Sequence, residues 1–195
     1  MPVGTVKEYQ DRLKDSLSIC FKDVCVRTEW RSLDGERGVY SPRLDLAVGP
    51  FAEDRNRIAE YNHLSHRHDE LLRGLHCQHC INLSSSNPAQ ALPGFDLVKE
   101  RNKNARCFMA IEIENRVSNK HLMGGAINAA ALGRFGLAVA WNDWNLTQFI
   151  RMRDYLLFLS SVGKNSFDPA NLLILTADQF EDIVSRHAER SQPEI

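Results

Sequence analysis

The acidic residues of two apolar segments are the strongest chemical signal in this sequence. Glu112 and Glu114 alternate with isoleucines, and in a β-strand that alternation places both carboxylates on one face. Asp45 lies in an earlier segment of the same kind. Carboxylates in apolar surroundings are costly to desolvate without a cation, and their hard oxygens suit Mg²⁺ or Mn²⁺. The sequence therefore predicts a metal site formed by Asp45, Glu112 and Glu114.

A solvated strand face would explain the same carboxylates without a metal. In that alternative they form ion pairs with Arg27, Arg43 or Arg116, and such surface pairs contribute little to stability. Against it, the run from Phe108 to Ile113 is typical of a central strand, whose two faces are both covered. We therefore prefer the metal site.

A second group of metal-ligating residues lies in the middle of the chain. Two thiols and two imidazoles fall within five residues, His76, Cys77, His79 and Cys80, and three more histidines precede them, His63, His66 and His68. A structural Zn²⁺ site needs four ligands at defined spacing, and this pattern is incomplete. A helix end carrying surface histidines explains the same residues, so structural zinc remains an alternative.

Length and charge limit the kinds of partner that we expect for this chain. The chain of 195 residues fits one domain, and its formal net charge of −1 gives no global basic field for nucleic acid or membrane. Five cysteines and an N-terminus without a signal-peptide pattern favour a cytoplasmic location. No apolar run reaches the ~18 residues of a membrane span, so we expect no membrane partner.

The first half of the chain predicts a helix, a hairpin and an insertion. Thr5 and Glu8 have the spacing of a capping box before a helix over about 6–18, which favours a capping role for Glu8 over metal binding. Val24, Val26 and Thr28 indicate one strand that runs through Trp30, and a second strand over 39–48 follows the Asp34-Gly35 turn signal. Residues 52–105 predict an insertion: a largely solvated helix to about residue 75, then an irregular basic loop.

The second half predicts alternating strands and helices. Ser118 is a plausible cap and Gly133 a stop for a helix rich in small residues, which allows tight packing on a sheet. Trp141, Trp144, Tyr155 and Phe158 lie on or beside apolar runs, which favours packing over a base-stacking platform. The predicted elements are a strand over 107–114, a helix over 118–132, a strand over 135–141, a helix over 144–161, a strand over 172–176 and a helix over 177–190.

The order helix, strand, strand with Asp45, strand with Glu112 and Glu114, helix, strand resembles the PD-(D/E)XK, or restriction-endonuclease-like, nuclease superfamily. The resemblance covers roughly residues 5–141 without the insertion. It implies an α/β fold with a mixed sheet of about five strands flanked by helices, and a helical insertion between strands 2 and 3. Residues 1–195 would then form a single nuclease-like domain with an insertion at about 52–105.

The resemblance also implies roles for individual residues. Asp45 and Glu112 match the acidic positions of the family pattern and would bind Mg²⁺ or Mn²⁺. Glu114 stands where the family usually has lysine, so it would be a further ligand or a base, and Lys120 could supply the displaced positive charge. Leu44 replaces the usual proline, and the spacing from Asp45 to Glu112 is longer than usual.

The sequence thus predicts a metal-dependent nuclease that hydrolyses phosphodiester bonds in DNA. Basic residues of the insertion could contact phosphates, although acidic neighbours dilute their field. One alternative is a catalytically inactive binding module that keeps the fold, which the missing lysine at position 114 favours. Another is a zinc-stabilised interaction domain around residues 63–80. A homodimer is also left open, although the sequence shows no interface signal.

Overall fold

The computed structural model describes residues 2–33, 38, 40–116, 118–164 and 167–190. The Asp34-Gly35 turn predicted from the sequence lies outside these ranges. The helices and strands follow one another in this order: α1 (Val6–Cys20), β1 (Val26–Arg31), β2 (Arg43–Val48), α2 (Ile58–Arg67), α3 (Asp69–Ser86), α4 (Phe95–Arg101), β3 (Cys107–Glu114), α5 (Asn119–Leu132), β4 (Gly133–Ala140), α6 (Asp143–Ser161), β5 (Leu172–Thr176) and α7 (Ala177–Arg190).

One mixed sheet of five strands organises the fold, with the strands side by side in chain order. The first three strands pair antiparallel, and β3, β4 and β5 pair parallel. Each parallel connection crosses over through a helix, as parallel pairing requires. The expected α/β architecture with a mixed five-stranded sheet is confirmed, and β3 is its central strand.

The two faces of the sheet are covered by different helices. On one face, α1 and α7 pack on Ile111, Leu137 and Leu173 in the larger apolar core. On the other face, α5 and α6 pack on small residues such as Ala138. A Cβ added at Gly136 would lie 2.7 Å from the α5 backbone, so this helix approaches the sheet as closely as its small residues predict.

Local sequence signals determine the ends of several elements. The Thr5 hydroxyl accepts a hydrogen bond from the Glu8 amide, and the Glu8 carboxylate accepts one from the Thr5 amide. This capping box confirms the predicted role of Glu8. Helix α5 ends at Leu132 and passes directly into β4 at Gly133, with no intervening loop.

The segment over 52–105 differs from its prediction. Instead of one solvated helix and an irregular loop it forms α2, α3 and α4, and Tyr61, Leu72 and Leu75 are fully buried in the main core. The spacing of apolar residues was too sparse to indicate this burial, because each helix buries only a narrow stripe. Helices thus lie between β2 and β3, as predicted, but they pack into the main core and are not largely solvated.

Among the described residues, no helix is both long enough and apolar enough to cross a membrane.

Candidate functional site

Strands β2 and β3 bring two of the predicted site residues side by side. Leu46 pairs with Ile111, so the next position of this antiparallel register sets Asp45 opposite Glu112. Side chains directly opposite on neighbouring strands lie on the same face, with Cβ atoms about 5 Å apart. The sheet thus brings together two carboxylates that are 67 residues apart in the sequence.

The Asp45 carboxylate is partly buried and is fixed by the backbone of β3. Its Oδ2 accepts a hydrogen bond from the Ile113 amide at 2.7 Å. Burial raises the pKa of Asp45 to about 6, although the Ile113 amide acts in the opposite direction. Asp45 therefore carries most of its charge at neutral pH while facing a second carboxyl group.

The Glu112 side chain lies between the sheet and α5. A Cβ added at Gly125 would contact the Glu112 Cβ at 3.5 Å, so the glycine leaves space for this side chain. Among the described residues, the buried Oε1 of Glu112 has no hydrogen-bond partner. Burial, and then the neighbouring Asp45 carboxylate, raise the pKa of Glu112 to about 9, while the Asn128 side chain lowers it. Without a cation Glu112 holds a proton at neutral pH.

A third carboxylate in this row, Glu29 of β1, was missed from the sequence. Thr28 pairs with Leu46 and Trp30 with Leu44, so Glu29 lies opposite Asp45 in the register. Its backbone has φ 54°, which is unusual for a residue other than glycine and is often found at functional sites. Glu29 forms an ion pair with Arg43 at 2.7 Å and raises the pKa of both Asp45 and Glu112.

Glu114 and Lys120 border the same cavity as Glu112. This cavity has a volume of about 450 Å³ and is lined also by Arg43, His121 and the start of α5. The Glu114 Oε1 accepts a hydrogen bond from the Arg116 amide at 2.7 Å. The structure therefore places Glu112, Glu114 and Lys120 around one cavity at the end of β3, with Glu114 oriented toward the following loop. Asp45 lies beside Glu112 in the sheet but is not among the residues that line this cavity.

Two of the arginines considered as partners on a solvated strand form their ion pairs with other carboxylates, although Arg43 stays close enough to lower the pKa of Asp45. Arg43 pairs with Glu29, and Arg27 pairs with Glu53 at 2.8 Å. Only the backbone of Arg116 contacts Glu114 among the described hydrogen bonds. The burial of β3 on both faces also matches a central strand.

The donor set at Asp45 and Glu112 fits a hydrated divalent cation. An unpartnered buried oxygen on Glu112 and a neighbouring carboxylate are what a positive charge would stabilise. In the part of the chain that the structure describes, no group of three His, Cys, Asp or Glu side chains is arranged to hold a metal ion. Mg²⁺, however, is commonly held by one or two carboxylates with waters and substrate phosphate. The site thus suits Mg²⁺ held by a few carboxylates and waters better than a metal ion enclosed entirely by protein ligands.

The four residues considered as zinc ligands lie on α3 with separate partners. His79 is buried, and its Nδ1 accepts a hydrogen bond from the Ile174 amide at 3.0 Å. His76 Nε2 lies 2.8 Å from the Pro93 carbonyl and 3.5 Å from the Cys80 sulfur. Cys77 is exposed in a cavity beside α7. These contacts give His79 a structural role that needs no zinc.

The basic residues of the segment over 52–105 are largely paired with acidic side chains. Arg73 pairs with Asp69 at 2.6 Å, and Arg101 pairs with Asp168 at 3.1 Å. Arg106 donates to the Ser32 carbonyl at 2.8 Å. A solvated, ion-paired surface therefore accounts for these cations.

The aromatic residues around α6 do not all pack as expected. Trp141 is partly buried and packs edge-on against Tyr9, as predicted. Trp144 is 42% exposed, Tyr155 50% and Phe158 58%, so the packing prediction is wrong for these three. Apolar neighbours in the sequence do not show which side of a helix faces solvent. With 3.6 residues per turn, residues that are adjacent in the sequence lie on different sides of the helix.

Comparisons with family models, with curated proteins and with solved structures find no match for this chain. Its function must therefore be argued from the chemistry of the site.

Proposed function

We propose that this chain is a divalent-metal-dependent nuclease of the restriction-endonuclease-like type, which hydrolyses phosphodiester bonds in DNA. The observation that carries this proposal is the buried pair of Asp45 and Glu112, set opposite each other with one Glu112 oxygen unpartnered. Burying two neighbouring carboxyl groups in a central strand costs free energy, and such a cost is typical of a functional site. The resemblance in element order supports the reaction, phosphodiester hydrolysis.

Asp45 and Glu112 would hold one Mg²⁺ or Mn²⁺ ion. When bound, such an ion polarises a phosphate and lowers the pKa of a coordinated water. Glu112 would lose its proton as the cation binds, because the positive charge offsets the desolvation that raises its pKa. The Ile113 amide keeps the Asp45 carboxylate in place by its hydrogen bond.

The other residues around the cavity would act on the substrate. Lys120 and Arg43 bring positive charge to the cavity that holds Glu112, where they would contact the phosphate and stabilise developing negative charge. Glu114 would accept a proton from the attacking water, and the Arg116 amide orients its carboxylate. DNA would thus meet cations at the edge of the cavity and carboxylates within it.

A catalytically inactive module of the same fold is the second candidate. It is favoured by Glu114, which stands where the family usually has lysine. The Glu114 carboxylate accepts a hydrogen bond from the Arg116 amide, and no described hydrogen bond links it to Asp45 or Glu112. Such a module would bind DNA without hydrolysing it. The two candidates differ in cleavage and not in binding.

The experiment is cleavage of plasmid, linear duplex and single-stranded DNA with Mg²⁺ or Mn²⁺. We compare the native chain with Asp45→Asn and Glu112→Gln, which keep the side-chain shape and remove the charge. Glu189→Gln, an exposed position on α7, is the matched control. We expect cleavage by the native chain and the control, and a loss of at least about a hundredfold in both site variants, since metal and charge terms are worth several kcal/mol.

Folding is monitored by circular dichroism in each variant. Equal cleavage by the native chain and the folded site variants would assign the activity to another site or a contaminant. DNA binding without any cleavage by the native chain would favour the inactive module.

A further inference from the structure

A second cavity lies at the carboxyl ends of β4 and β5. It has a volume of about 460 Å³ and is lined by both tryptophans that flank the start of α6, together with polar residues. Its lining residues are Trp141, Asn142, Asp143, Trp144, Thr176 and Asp178.

One backbone hydrogen bond joins a lining residue of each cavity. The Trp141 amide donates to the Glu114 carbonyl at 3.1 Å, and Glu114 lines the first cavity while Trp141 lines the second. The loop after β3 is tied to the same place, because the Asn145 side chain donates to the Arg116 carbonyl at 2.8 Å. The two cavities thus lie at the same end of the sheet, with Glu112 against α5 and Trp141 against Tyr9 of α1.

Trp144 supplies an accessible aromatic surface in this cavity. Trp141 is held against Tyr9, whereas Trp144 has nearly half of its side chain exposed at the first turn of α6. An indole exposed in a polar cavity gains by stacking on a flat, apolar ring, and nucleobases stack on such residues with little regard to sequence.

Asp143 gives the cavity a hydrogen-bond acceptor beside Trp144. It is the first residue of α6, and its carboxylate oxygens accept from N–H donors. The exocyclic amines of cytosine, adenine and guanine are such donors, whereas thymine presents a carbonyl oxygen at the corresponding position. The cavity therefore offers a base both a stacking surface and an acceptor.

We infer that this second cavity binds an unpaired nucleobase by stacking on Trp144, with Asp143 accepting a hydrogen bond from an exocyclic amine. This rests on the proposed function in so far as the base belongs to the strand that is cut. A base inside a duplex is stacked and paired, so the cavity would take a base only from single-stranded or locally opened DNA. The chain would thus prefer single strands or duplex ends to intact duplex.

The test measures binding of fluorescein-labelled octamers of deoxycytidine and thymidine by anisotropy, in EDTA and at low salt. Trp144→Ala should weaken binding of the deoxycytidine octamer by about 5- to 150-fold, since stacking is worth about 1–3 kcal/mol per base. Trp144→Phe should restore part of the loss. Tyr155→Ala, equally exposed on the same helix, is the matched control and should leave the affinity unchanged. Asp143→Asn should reduce the preference for deoxycytidine over thymidine.

The outcomes separate this inference from the nuclease proposal, because no cleavage is measured in EDTA. Equal affinity of Trp144→Ala and the native chain, or an equal loss in Tyr155→Ala, would overturn the base site even if Glu112-dependent cleavage is found. A loss specific to Trp144→Ala would support the base site even if no cleavage is found in Mg²⁺ or Mn²⁺.

Discussion

Two facing carboxyl groups determine the behaviour of the site at the scale of single residues. Asp45 and Glu112 oppose each other in a central strand pair, and the charge of Asp45 raises the pKa of Glu112 beyond the effect of burial. Asp45 has a backbone amide to offset its burial, whereas one Glu112 oxygen has no partner. The chain therefore carries an electrostatic cost at Glu112 that a cation would relieve.

This cost predicts how the free energy of unfolding depends on pH without metal. The pKa of Glu112 is raised from 4.5 to about 9 in the folded chain, so between these values the folded state binds a proton that the unfolded state releases. Stability then falls as pH rises, by up to about 1.4 kcal/mol per pH unit. Relative to Glu112→Gln, the native chain should lose about 2–3 kcal/mol between pH 5.5 and 8.

Urea unfolding in EDTA at several pH values measures this difference. Glu189→Gln removes a carboxylate from the exposed surface and should follow the native chain at every pH. Parallel curves for the native chain and Glu112→Gln would mean that Glu112 does not hold a proton in the folded state.

The sequence could indicate the site residues but not their arrangement. Alternation within β3 was enough to place Glu112 opposite the isoleucine face, and the capping box was enough to separate Glu8 from the acidic site. Glu29 could not be found in this way, because its place in the row depends on the pairing register of β1 and β2. The alternation of Arg27, Glu29 and Arg31 was its only signal.

At the scale of elements, α5 forms one wall of the carboxylate cavity through its glycines. Gly125 contacts Glu112, whereas a Cβ added at Gly124 would meet no atom within 4 Å, although Gly124 lines the cavity. Gly124→Ala should therefore stabilise the chain by about 0.5–1 kcal/mol, because alanine favours helix more than glycine does.

A larger residue at the same position should fill the cavity without displacing the sheet. Gly124→Phe is expected to keep the fold and to reduce DNA cleavage by tenfold or more, by excluding the substrate phosphate. Gly94→Phe, also at a position with open space around the added Cβ, is the control for bulk and should cleave normally. Normal cleavage by a folded Gly124→Phe would show that substrate does not enter beside α5.

Helix α3 illustrates what sequence patterns could not show about packing. His79 and Asn82 contact both backbone groups of Ile174 on the outer strand β5: His79 accepts from its amide, and Asn82 donates to its carbonyl. Side chains thus satisfy an edge strand that has no further strand beside it. From the sequence alone, this cluster of histidines and cysteines indicates zinc as well as it indicates packing on a strand. The strand that His79 contacts, β5, lies far along the chain.

This contact predicts a stability loss that is independent of metal. His79→Ala would leave the buried Ile174 amide without an acceptor, which costs about 1–3 kcal/mol. Thermal or urea unfolding should show this loss, while chelators should not change the stability of the native chain. His63→Ala, an exposed histidine on α2, is the control. A large destabilisation of the native chain by chelators at neutral pH would favour structural zinc instead.

The whole molecule has a nearly balanced charge, which limits how it can hold DNA. Its formal net charge is −1, and the basic residues around the carboxylate cavity are few, Arg43 and Lys120 with Arg116 beside them. Without a divalent ion, the carboxylates repel a phosphate that approaches these cations. The field that would attract DNA is thus local and depends on the ion.

This balance predicts weak binding of duplex DNA that Ca²⁺ strengthens. Ca²⁺ takes the same oxygen ligands, so it should offset the carboxylate repulsion and raise the affinity by about 10- to 100-fold, since like charges in contact cost several kcal/mol. The slope of log affinity against log salt concentration should be shallower than about −3, because at most three cations contact phosphates. Glu112→Gln should bind like the native chain in EDTA at neutral pH, because Glu112 is then protonated, and it should gain less from Ca²⁺. Equal gains from Ca²⁺ in both chains would place the ion away from Glu112, whereas a steep salt slope would require a basic surface beyond this cavity.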